Sequence, residues 1–126
     1  MSREVVNSDK APKAIGPYEQ GIKANGFLFT SGQIALDPES GELIEGDISA
    51  QTRQVFQNLK SVLEAGGSSL DRVVKTTVFL KTMSDFPIVN GVYQEFLGDS
   101  KPARSTVAIA DLPKGALIEI DLVALT

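Results

Sequence analysis

The chain has 126 residues, 42% of them hydrophobic and 22% charged, the size and composition of one globular domain with one core. Its formal charge is −4 and its basic residues form no run, which argues against nucleic acid as a partner. With no cysteine and no histidine, thiolate nucleophiles, disulfides, imidazole bases and the commonest transition-metal ligands are excluded, so chemistry falls to carboxylates, Arg, Lys, hydroxyls, backbone groups and water.

A first short strand is expected at residues 4–7. Residues 10–18 carry Pro12, Gly16 and Pro17 and read as a loop, because proline lacks an N–H and restricts the residue before it. Extended runs at 19–24 and 27–31 flank Asn25-Gly26, a dipeptide that tolerates the positive φ of a tight hairpin. A second turn, Asp37-Pro38-Glu39-Ser40-Gly41, is expected to join short strands at 33–36 and 43–45. Asp47 can cap a helix to about Ala65, since Ile48, Val55, Phe56, Leu59, Val62 and Leu63 recur at helical spacing. Gly66-Gly67 then accepts the left-handed conformation that ends it. Residues 73–80, β-branched and free of Gly and Pro, read as a strand.

A second helix can be capped by Ser84 or Asp85, with Pro87 in its first turn, Val89, Val92, Tyr93 and Phe96 on its apolar face, and Gly98 as its stop. Two strands at 104–110 and 117–125 follow. The loop between them carries Pro113 and Gly115, which suggests an antiparallel hairpin. Residues 1–126 thus form one α+β domain, a sheet with two helices on one face. No stretch approaches the roughly 18 apolar residues of a membrane span. Met1-Ser2-Arg3-Glu4 leads into no signal-like run, and the expected location is the cytoplasm. On the last strand Ile118, Ile120, Leu122 and Ala124 make one apolar face, while Leu117, Glu119, Asp121, Val123 and Leu125 make the other. The second face is too apolar for free solvation, so it is expected to meet another copy of the chain.

Candidates for chemistry are few. In Pro102-Ala103-Arg104-Ser105-Thr106-Val107, Arg104 enters a strand, where its planar guanidinium can grip a carboxylate through two parallel hydrogen bonds. By itself, such an arginine is more often solvated or ion-paired. Glu119 and Asp121, two apart on a strand, share a side, and apolar neighbours would raise at least one of their pKa values, as general acid–base work requires. A solvated face or an intersubunit ion pair is the plainer alternative. Gly32, in Thr30-Ser31-Gly32-Gln33, lets a ligand approach the backbone beside the hydroxyl of Ser31, or else marks a bulge. The rigid loop Ile15-Gly16-Pro17-Tyr18 delivers an aromatic ring with a polar tip, suited to a pocket or to a core. Asn90, early in the second helix, is otherwise a solvated position.

Together, Ile15-Gly16-Pro17-Tyr18, Thr30-Ser31-Gly32-Gln33, residues 74–79 (Val-Lys-Thr-Thr-Val-Phe), Pro102-Ala103-Arg104-Ser105 and Ile118-Glu119-Ile120 resemble the Rid (YjgF/YER/UK) family, and within it the RidA-type deaminases. The likeness runs from about residue 3 onward. It implies a chorismate-mutase-like α+β fold, a homotrimer with sites in clefts between subunits, and no metal or organic cofactor. It also implies hydrolysis of 2-aminoacrylate and related enamine or imine acids (2-iminopropanoate, 2-iminobutanoate) to 2-keto acids and ammonia, which protects pyridoxal-phosphate enzymes. Carried over by position, Arg104 matches the carboxylate-binding arginine and Glu119 the glutamate near the attacking water. Tyr18, Ser31, Gly32 and Asn90 match pocket residues, with Tyr18 expected from across the interface. Thr106 stands where many such proteins have cysteine. If that position acts through its backbone, threonine serves, and its hydroxyl can alter which substrate fits. Three rivals remain: an endoribonuclease or translation inhibitor, a non-catalytic ligand-binding trimer, and a deaminase of a larger enamine such as 2-aminomuconate.

Overall fold

The computed structural model describes residues 2–126 and holds a six-stranded sheet with two helices. The strands are β1 (Glu4–Val6), β2 (Gly21–Ala24), β3 (Phe27–Thr30), β4 (Val73–Leu80), β5 (Ala103–Ala108) and β6 (Ile118–Leu125), in the order β1-β2-β3-β6-β4-β5. The hairpin at Asn25-Gly26 is present, with both residues at positive φ (53° and 82°). The hairpin expected between the last two strands is not. β4 lies between them, antiparallel to β6 and parallel to β5. A tight turn would have been needed to pair β5 with β6, and the intervening loop is long enough to step over a whole strand. Helix α2 (Phe86–Leu97) supplies the crossover that a parallel β4–β5 pair requires.

The short strands expected at 33–36 and 43–45 survive only as single bridges, Gln33 with Ile120 and Leu36 with Leu43. The Ile44 N–H donates to the Ala35 carbonyl at 2.9 Å, and other carbonyls of the first segment are satisfied by a helix side chain. Helix α1 (Ile48–Ala65) buries Asn58 completely, and its Nδ2 donates to the carbonyls of Ile34 and Leu36 at 3.2 and 3.0 Å. Gln51 of the same helix accepts from the N–H of Leu117 at 2.9 Å. Polar residues within α1's buried face thus hold the irregular segments beside the sheet.

Asp47 caps α1, accepting from the N–H of Ala50 at 2.9 Å. The left-handed residue after it is Gly67 (φ 78°). Gly66 answers a different need, since a Cβ there would collide with Leu28. Neither Ser84 nor Asp85 caps α2 through its side chain. Thr82 instead caps a short turn that leads into the helix, accepting from the N–H of Ser84. Both helices cover one face of the sheet, over Leu28, Val78, Leu80, Ile118, Ile120 and Leu122, all 0–1% exposed. The other face leaves Phe27 (38%), Phe29 (44%) and Leu125 (41%) open. No helix among the described residues is long and apolar enough to cross a membrane.

Candidate functional site

Residues paired across neighbouring strands point to the same side of a sheet. The register places Arg104 beside Thr76 and Leu122, on the helix-covered side, and Glu119 beside Phe79 and Val107, on the open side. Within one copy, the two residues therefore stand on opposite faces. Each has its own cavity of about 430 Å³.

The Glu119 cavity also gathers Tyr18, Ser31 and Gly32. The reciprocal backbone bonds between Gln33 and Ile120, at 2.8 and 3.1 Å, draw the segment after β3 across β6. Gly32 then lies directly against Glu119. A Cβ on it would sit 2.5 Å from the Glu119 Oε2. The glycine therefore lets the carboxyl group lie where it does, since any larger residue would push the end of the Glu119 side chain aside. Ser31 Oγ donates to the Glu19 carbonyl at 2.5 Å.

Tyr18, 49% exposed, stands at the cavity wall on the loop that Gly16 (φ 131°) turns. That loop is anchored by Gln20, which is 2% exposed. Its Nε2 donates to the carbonyls of Ser8 and Pro12, and its Oε1 accepts from the N–H of Ser8. Sequence reasoning missed Gln20, because a buried glutamine at a strand entry looks like any surface one. It also missed Lys114, which lines the same cavity from the loop before β6. Its left-handed φ of 56° is a signal readable only in three dimensions.

Burial raises the pKa of Glu119 above its ordinary 4.5, and the charge of Asp121 adds to the shift. Burial likewise raises Asp121 above 3.8, opposed by a hydrogen bond from Thr77 and the charge of Lys75. A carboxyl group so shifted can give and take a proton nearer neutrality.

On the other face, the Arg104 guanidinium lies 4.6 Å from the centre of the Tyr93 ring and 5.2 Å from that of Phe86. Its Nη1 donates to Asn90 Oδ1 at 2.8 Å. Tyr93 is fixed in turn by a 2.8 Å hydrogen bond between its hydroxyl and that of Thr76. Among the described residues, the ion pairs are Lys23–Glu4 and Arg53–Glu95, so Arg104 is ordered without an acidic partner. Thr106 lines neither cavity, and its Oγ1 is buried with no hydrogen-bond partner. No cluster of three or more His, Asp, Glu or Cys able to hold a metal occurs among the described residues.

Residues 8–126 match the protein family described as Endoribonuclease L-PSP. The chain belongs to this L-PSP (Rid) family. A RutC family protein of Pyrococcus horikoshii is 55% identical over 122 residues, 97% of each chain. The Reactive Intermediate Deaminase A of the Arabidopsis thaliana chloroplast is 44% identical over 124 residues, 98% of this chain and 66% of that one. Among solved structures, a Rid family protein of Yersinia pestis superposes with a TM-score of 0.96 at 45% identity, covering 99% of this chain and 100% of its own. Escherichia coli TdcF, solved with bound serine, gives 0.91 at 37% identity, covering 98% of each. The α+β architecture of this Rid chain is thus that of its relatives. The names in the family range from endoribonuclease to deaminase.

Proposed function

We propose that this Rid protein hydrolyses small enamine and imine acids in a cleft completed between copies of the chain, as a homotrimer of the kind the resemblance implies. The observation that carries this reading is the state of Arg104. Its guanidinium is stacked, hydrogen-bonded and oriented, yet no carboxylate of its own chain answers it. A bidentate cation prepared in this way suits a ligand carboxylate. A deaminase among the relatives and a serine-bound neighbour are consistent with that ligand class. The opposed faces of Arg104 and Glu119 call for a neighbouring copy to bring a Glu119 cavity to the Arg104 groove.

In that cleft, Arg104 holds the carboxylate of 2-aminoacrylate and with it the position of C2. Protonation of the methylene carbon gives the imine. Glu119, whose raised pKa lets it exchange protons, orients a water that adds to C2, with Tyr18 and Ser31 bounding the pocket. The carbinolamine expels ammonia and leaves pyruvate. The imine reacts readily in water by itself, so orientation and one proton relay, worth roughly 10²–10⁴-fold, suffice. Asn90 keeps the guanidinium in plane, and Thr106, two residues along the same side of β5, bears on which substrate fits. No metal or organic cofactor enters this scheme, and the chain's setting is taken to be the cytoplasm. A ribonuclease reading has no support in the site, which offers neither an imidazole nor a basic stripe.

The test is subunit complementation. Arg104→Ala and Glu119→Gln are each expected to stay folded and to lose pyruvate release from freshly generated 2-aminoacrylate. Unfolded together and refolded as a mixture, they should recover about a quarter of the wild-type rate, the chance that both halves of a cleft are intact. No recovery, or an active Arg104→Ala variant, sinks the reading.

A further inference from the structure

The groove that holds Arg104 runs on past the guanidinium, between the C-terminal half of α2 and the entry to β5, and reaches Lys101. Its lining contains two cations, Arg104 and Lys101, and no carboxylate, on a protein whose net charge is −4. Neither cation is ion-paired among the described residues. The backbone of Lys101 is unusual as well. It stands in the left-handed region at φ 45°, and its N–H bonds the Leu97 carbonyl at 3.0 Å to close the end of α2. Glycine is the favoured residue for such a closing position, so lysine keeps a side chain there against the conformational preference. Gly98, the stop expected from sequence, directly follows the helix and is itself right-handed (φ −60°). It leaves room for the Gln94 amide, which folds over it and lines the groove.

Lys101 and Arg104 are three residues apart, so their Cα atoms are separated by at most about 10 Å. An extended five-carbon diacid holds its carboxyl carbons about 5 Å apart. Two side chains reaching inward from that distance can hold both ends of such a molecule.

We infer that the Lys101 end of this groove is a second carboxylate subsite, and that the protein favours imines of dicarboxylic amino acids, the α-carboxylate on Arg104 and the distal one on Lys101. This rests on the deaminase reading above and narrows its substrate class. The reaction is unchanged in balance: the C=N bond of the imine takes up one water, ammonia leaves, and the product is a dicarboxylic 2-keto acid.

Binding and turnover are tested apart. In calorimetric titration of the whole protein, glutarate should bind about fivefold more tightly than butyrate, the range of one exposed ion pair. Lys101→Ala should bind the two acids alike, and Lys101→Arg should restore the preference. For turnover, amino-acid oxidases release the imines of glutamate and of alanine in situ, with semicarbazide trapping whatever imine remains. Lys101→Ala should raise KM for the glutamate imine about fivefold and leave the alanine imine unaffected. Equal wild-type affinity for the two acids, no binding of either, or a preference that survives Lys101→Ala overturns the subsite. A Lys101-dependent preference without hydrolysis of either imine upholds the diacid subsite and overturns the deaminase reading.

Discussion

Glu119 is a half-buried carboxyl group set between its own strand and the Gly32 segment, and that partial burial is the main reason its pKa is raised. A folded-state pKa above the unfolded value means that the native chain holds the proton more tightly. That contribution to stability is full below pH 4.5 and is lost as pH rises through the shifted value. Glu119→Gln is therefore expected to melt above the wild type at pH 7 and level with it at pH 4, as scanning calorimetry at the two pH values would show. The neighbouring Gly32 yields a second prediction. Ala at this position drives its methyl into the end of the Glu119 side chain, which should turn that carboxyl group aside at a cost of about 1 kcal/mol or less in urea unfolding. The turnover number should fall with it. Both residues were legible in the sequence as chemistry-bearing types in a motif, yet their contact was not, because it depends on a backbone bridge between segments far apart in the chain.

At the level of elements, the strongly periodic pieces were readable: the apolar stripe of α1, the Asn25-Gly26 hairpin, and β4 with its β-branched run. Pairing was harder to read. Adjacent strands in a sequence usually pair, and that prior wrongly joined the last two. The helix between β4 and β5 was the counter-signal, since a crossover of this kind makes neighbours parallel. The segments at 33–36 and 43–45 alternate like strands but make only isolated backbone bonds, to Ile120 and to each other, and the carbonyls of Ile34 and Leu36 take the Asn58 side chain of α1, which no local pattern reveals. Asn58→Ala tests that account. It removes the Asn58 donor from two carbonyls of the segment, of which that of Ile34 keeps the Leu36 N–H, so a loss of about 1–3 kcal/mol is expected by denaturant titration. Gln33 and Gly32, carried on the same segment, should then hold Glu119 less firmly and lower the rate.

At the level of the molecule, the open sheet face joins Phe27, Phe29 and Leu125 into an apolar patch, with the two phenylalanine rings 6.3 Å apart. The two halves of the proposed cleft also lie on opposite sides of that sheet. Assembly and activity should accordingly be inseparable. Phe29→Asp places a charge in the patch without touching the buried core, and is expected to give a folded 13.4 kDa monomer in light scattering with no deaminase activity. An active monomer would refute the shared cleft.

The strand order has a further consequence for synthesis. β6, the sixth strand to be made, is the one that joins the β1-β2-β3 group to the β4-β5 pair. Until it emerges from the ribosome, the two groups share no ladder, and both would-be neighbours of β6 expose raw edges. The nascent chain must therefore wait, protease-sensitive and sticky, for a segment made after nearly all the others.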